Sequence, residues 1–176
     1  MRPRLLTLAL SAVIVLAAGC GVVAISERGD MTERMRTLTA QEAMQRMEEH
    51  IARAVAALPV TPRLEEQSFD RLACDDPSDL GLRGRVSVGK RYWMRGLAFE
   101  RAKELFDAMH SYWLSHDYWV LSDRRERPGV PALFVENNAD AFRMSMTTSV
   151  QGEFAISATS PCVWPEGTPP PGVARQ

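Results

Sequence analysis

Histidine and lysine are scarce in this 176-residue chain: three histidines (His50, His110, His116) and two lysines (Lys90, Lys103). His110 and His116 are six residues apart on a predicted helix, about 600° of turn, so they point to different faces. His50 lies on another helix, and no His-Glu-x-x-His occurs. A metal site from these three is therefore not expected, and a hydrogen-bonded or solvated histidine is the default. The chain also lacks Gly-x-Ser-x-Gly, which would announce a serine nucleophile. Gly89-Lys90 is followed by Arg91 rather than Ser or Thr, so there is no phosphate-binding loop. The acidic run Asp75, Asp76, Asp79 lacks the glycine and distal glutamate of a calcium loop and reads as a solvated turn. No Cys-x-x-Cys is present, which leaves a redox-active or zinc role without support. No catalytic residue, metal or cofactor is called for. Charge of one sign is lacking too: the formal net charge is -1. That excludes a nucleic-acid-binding balance and provides no polybasic patch for anionic lipid.

What the chain does have begins at its N-terminus. Met1-Arg2-Pro3-Arg4 is a short basic region, and Leu5 to Ala18 is apolar without a charge. Small residues follow at Ala18-Gly19, before Cys20. This is the order of an export signal over residues 1–19. Leu16-Ala17-Ala18-Gly19-Cys20 resembles the lipobox of bacterial lipoproteins, with Ala17 where that family usually has leucine. The resemblance implies that Cys20 is acylated and becomes the first mature residue. The apolar stretch runs on to Ile25, and residues 5–25 are long enough to span a bilayer uncleaved. Arg2 and Arg4 keep the N-terminus cytoplasmic on either reading, which places the domain at the outer face of the membrane. Plain secretion is the third alternative. Removing residues 1–19 leaves 19 basic against 22 acidic residues, about -3.

With Cys20 lipidated, Cys74 and Cys162 remain as a pair. In an oxidising compartment an even remainder reads as a disulfide, the alternative being two buried free thiols. Such a bridge closes a loop of nearly 90 residues, worth roughly 4–5 kcal/mol by chain entropy.

Residues 26–62 read as a spacer followed by an amphipathic helix. Met31, Met35, Leu38, Met44, Met47, Ile51, Val55 and Leu58 recur at helical spacing. Asp30 with Glu33 is one possible capping box and Thr39 with Glu42 a second, while Pro59 and Pro62 end the helix. From the first start the helix is roughly 40 Å long. Its Met-rich stripe either packs on the domain or pairs with a partner's helix.

Residues 63–165 read as an α+β domain. Arg63–Arg71 is an extended piece suited to a sheet edge. Arg85–Val88 and Arg91–Met94 are strand-like, as one bulged strand or a short hairpin. Leu97–His116 is a helix with Phe99, Leu105, Phe106, Met109, Tyr112 and Trp113 on one side. Tyr118–Arg124, Ala132–Glu136, the strand around Phe142–Thr148 and that around Phe154–Thr159 form an antiparallel meander joined by short turns. The prediction is an antiparallel sheet of four to six strands covered by one helix and preceded by the long N-terminal one. Residues 166–176, with Pro169-Pro170-Pro171-Gly172, read as an extended mobile tail.

The best candidate for a binding surface is aromatic. Tyr92, Trp93, Tyr118, Trp119 and Trp164 surround the second helix and its flanking strands. Adjacent Tyr-Trp pairs on a strand put one ring of each outward, and exposed Tyr and Trp favour recognition. The alternative is that these rings fill the core. The lipobox-like start, helical spacer, small α+β domain and closing Ser160-Pro161-Cys162-Val163-Trp164-Pro165 together resemble small lipoproteins of actinobacteria, which implies an envelope location, a disulfide and no catalysis. The expected role is binding of an envelope protein or ligand. The alternatives are a cell-envelope hydrolase with an unannounced site and a single-pass protein whose Met-rich helix pairs with a partner.

Overall fold

A computed structural model describes residues 36–74 and 82–173. Helix α1 spans Ala40–Ala56, α2 Ala102–Ser115, and six strands follow as β1 (Arg63–Ala73), β2 (Val86–Arg95), β3 (Tyr118–Arg124), β4 (Ala132–Asn137), β5 (Arg143–Thr148) and β6 (Phe154–Thr159). The strands form one antiparallel sheet in the order β1-β2-β6-β5-β4-β3. Both helices lie on the same side of it. The α1 helix sits over β2 and β6, and α2 over β3 and β4.

The second of the two predicted starts opens α1. Thr39 Oγ1 accepts from the Glu42 N–H (3.1 Å), and Glu42 Oε2 accepts from the Thr39 N–H (2.8 Å). That closes a capping box and satisfies two donors that a helix terminus leaves free. Leu38 therefore precedes the helix, and Asp30, Met31, Glu33 and Met35 lie outside the described residues. At 17 residues, α1 is roughly 26 Å long rather than 40 Å. Its buried stripe is Ala40, Ala43, Met47, His50, Ile51, Ala54 and Val55. Small alanines on that stripe let the helix lie close to the sheet, so the sheet is covered by two helices rather than one.

The α2 helix begins in a 3-10 turn, Phe99–Arg101, that has no side-chain cap. Leu105, Phe106, Met109 and Trp113 then turn onto the sheet. They meet Leu133 and Val135 of β4, Met144 and Met146 of β5, and Phe154 and Ile156 of β6 in one core. The segment from residue 86 to 95 is one strand, not a hairpin, and the irregularity falls on β1 between Glu66 and Ser68. A second irregularity lies on β3 between Val120 and Ser122.

The pair Cys74–Cys162 is a disulfide. It ties the end of β1 to the segment after β6, where Val163 bridges Val86 with 2.8 Å hydrogen bonds in both directions. The start of the expected tail is held in place. Gly167 is buried, accepts from the Thr37 N–H at 2.8 Å, and has φ of +78° with Thr37 and Thr39 pressed against it. The acidic run 75–79 and residues 174–176 lie outside the described residues.

Candidate binding face

Among the described residues, two layers leave one side of the sheet without a helix. Strand alternation sorts the side chains: Val88, Lys90, Tyr92 and Met94 of β2 point toward α1, while Gly89, Arg91, Trp93 and Arg95 point away. Cross-strand register carries the second set over the uncovered face in three rows. One runs Asp70, Gly89, Thr159, Arg143, Glu136, Trp119. The middle one runs Ser68, Arg91, Ser157, Ser145, Phe134, Ser122, and the last Glu65, Trp93, Ala155, Thr147, Ala132, Arg124. Small residues thus occupy β6 and, apart from Arg143, β5, with larger ones on β2 and on β3–β4.

Cations stack on the aromatic rings of this face. The guanidinium groups of Arg91 and Arg95 lie 5.7 and 5.3 Å from the Trp93 ring centre, and that of Arg124 lies 5.9 Å from Phe134. Such stacking holds a cation while leaving its N–H groups available. Arg95 is paired with Glu65 and Glu153, and Arg143 with Glu136 at 2.7 Å. Those hydrogen bonds hold Arg95 above its usual pKa and Glu65 below the usual carboxylate range.

The five aromatics singled out in the sequence divide. Trp119, at 66% exposure, and the half-buried Trp93 belong to the uncovered face. Tyr118 and Trp164 are buried, at 5% and 2% exposure, and cannot line a surface. Tyr92 turns to the helical side, where its hydroxyl donates to Glu48 Oε1 (2.7 Å). Lys90 joins the same carboxylate at 2.6 Å and reaches Glu66 at 3.0 Å, pinning α1 to β1 and β2. These bonds raise the Lys90 pKa, and burial raises that of Tyr92. Arg91, Arg124 and Phe134 were not among the candidates drawn from the sequence. The signal that could have found them was the alternation of the strands on either side.

A second polar group was also missed. His50 Nδ1 lies 2.5 Å from the Tyr118 hydroxyl and Nε2 3.0 Å from Asp140 Oδ2, with Arg46 at 3.4 Å from the same oxygen. An Nε2–H donating to Asp140 and an Nδ1 accepting from Tyr118 satisfy every member. His50 and Tyr118 are buried, at 4% and 5% exposure, and the group joins α1, β3 and the β4–β5 turn. Ala141 in that turn has φ of +58°, a left-handed conformation. Among the described residues no set of three His, Cys, Asp or Glu side chains could hold a metal ion, and no helix is long and apolar enough to cross a membrane. Cys20 and residues 5–25 lie outside the described residues. No family model matches the chain, and no curated protein is significantly similar to it.

Proposed function

We propose that this chain is a non-catalytic binding protein held at the outer face of the cytoplasmic membrane by a lipid on Cys20, and that it binds an envelope component through the uncovered face of its sheet. The observation that carries the binding reading is the pairing of ring and cation there, with Trp93, Arg91 and Arg95 on β2 and Phe134 and Arg124 across from them. Aromatic residues and arginine are the residue types enriched where binding energy concentrates. The disulfide supports an oxidising compartment, and the lipobox-like segment supports the anchor. An α1 stripe buried against its own sheet does not support pairing with a partner's helix over residues 40–56. The burial of His50 and Tyr118 does not favour their use by a hydrolase.

The test is site-specific photo-crosslinking in the native envelope. A benzoylphenylalanine in place of Ser122, on the uncovered face, gives a discrete adduct, and one in place of Leu114, exposed on α2, does not. Equal adducts from both positions, or none from Ser122, would remove this face from consideration. Intact mass of the membrane-purified protein beside Cys20→Ser tests the anchor separately: a chain beginning at Cys20 with a diacylglyceryl adduct is expected, and a full-length mass without adduct overturns it.

A further inference from the structure

The small side chains of β5 and β6 form the floor of a trough on the uncovered face. Ala155, Ser157 and Thr159 run along one strand, and Ser145 and Thr147 along the other. The floor is roughly 13 Å long at about 3.4 Å per residue. Its walls are Trp93 on β2 and Phe134 on β4, three strands apart or roughly 14 Å. At its far end it opens into a cleft of about 370 Å³ whose lining includes Ser87, Arg143, Thr159 and Pro161.

Arg91 crosses this floor. It starts on β2, passes over β6 and donates from Nη2 to Thr147 Oγ1 of β5 at 3.2 Å. Its Nε is buried without a hydrogen-bond partner. A guanidinium has five N–H donors, and no carboxylate of the described residues pairs with Arg91. Arg124, on the opposite side, donates to Ser122 Oγ at 3.2 Å and likewise has no carboxylate partner among the described residues. The neighbouring Arg95 and Arg143 are both neutralised. The face therefore keeps one cation without a carboxylate, Arg91, over its floor and a second, Arg124, at the end of the edge strand β3, while Glu65, Glu153 and Glu136 are taken up by Arg95 and Arg143. A plane of anionic headgroups would be held off the floor by the Trp93 and Phe134 walls. A narrow anionic chain entering the trough would not.

We propose that the trough is the docking groove for an extended, acidic segment of a partner protein, with a carboxylate of that segment received by Arg91 and its apolar side chains laid on Trp93 and Phe134. This rests on the reading of the uncovered face as the binding surface. A floor of this length takes four or five extended residues. Charge-assisted hydrogen bonds to a guanidinium are about twice as strong as neutral ones, which makes the acid the specifying element and the rings the bulk of the contact.

The probe is a rhodamine-labelled hexapeptide alternating glutamate and valine, followed by anisotropy against the full chain in detergent. Its counterpart alternates lysine and valine. Saturable binding of the glutamate peptide alone is expected. Arg91→Gln weakens it about tenfold or more, and Ser157→Phe, which fills the floor beneath Arg91, does the same. Leu114→Ala leaves it unchanged. Equal binding of the lysine peptide, or an Arg91→Gln affinity within twofold of wild type, overturns the proposal. So does pelleting with phosphatidylglycerol vesicles that depends on Arg91 when the peptide does not bind, which would transfer the site to lipid. If the Ser122 crosslink forms while the glutamate peptide fails, the face binds but not an acidic segment. If both fail, the binding reading falls with it.

Discussion

Tyr118, His50 and Asp140 come from three distant parts of the chain and meet in one line of polar atoms, 2.5 and 3.0 Å apart. Burial, with the charges of Tyr112 and Asp140 adding to it, pushes the Tyr118 hydroxyl up to about 12 from its ordinary value near 10. A tyrosine that keeps its proton when folded and loses it when unfolded stabilises the fold below about pH 10. That contribution drains away as pH rises toward 12, by roughly 2–3 kcal/mol for a shift of this size. In Tyr118→Phe the His50 acceptor loses its donor, at a cost of about 1–2 kcal/mol near neutral pH. Urea unfolding across pH 8–12 should therefore show the wild type ahead at pH 8 and losing that lead between pH 10 and pH 12. Parallel curves would mean that the hydroxyl is not held this way. Little of this was readable beforehand. The pair Tyr118-Trp119 says that one ring turns in and the other out, but not which. The irregularity at Leu121 breaks the alternation that would have decided it. His50 gave no signal, because a lone histidine on an apolar helix face acquires meaning only from the chain folded against it.

At the scale of the element, the start of α1 was readable because capping is local chemistry. Thr39-x-x-Glu42 places a hydroxyl and a carboxylate where the free N–H groups of a first turn need acceptors. The Thr39 backbone and side-chain hydrogen bonds hold the Glu42 carboxyl below the usual range. A depressed carboxyl adds stability above its unfolded pKa and loses it as pH falls, so this cap weakens in acid. Thr39→Ala should cost about 1 kcal/mol by denaturant unfolding at pH 7, with a smaller difference at pH 3. A pH-independent loss would locate the effect in the hydroxyl alone. The methionine spacing was a weaker guide to the buried stripe. Three alanines (Ala40, Ala43 and Ala54) are buried with Met47 and Ile51 while Met44 is only partly so, and alanine is too neutral in hydropathy to reveal a face. The meander was more legible. Phe142, Met144 and Met146 alternate with polar residues, and all three are buried as that alternation requires.

For the whole molecule, the bridge between Cys74 and Cys162 matters most where the sheet is thinnest. Strand β1 is mostly exposed and pairs only with β2. Strand β2 is paired with β6 over Gly89–Trp93, which leaves its first residues to the Val86–Val163 bridge and the disulfide beside it. The expectation that a lipid takes Cys20 left Cys74 and Cys162 as a pair, and the structure joins those two. The uncovered face was not predictable in the same way, because it exists only where six strands from both ends of the chain come into register. The sequence separation of 88 residues gives the bridge about 4–5 kcal/mol of chain entropy. The double variant Cys74→Ser/Cys162→Ser should then melt roughly 10–15 °C lower, at about 2–4 °C per kcal/mol for a chain of this size. A constraint on the unfolded chain destabilises every globally exchanging amide alike. Hydrogen exchange should therefore quicken in β4 and β5 as much as in β2. Acceleration confined to β1 and β2 would instead make the bridge a local staple for the hairpin. The remaining four strands and two helices would then carry their stability without it.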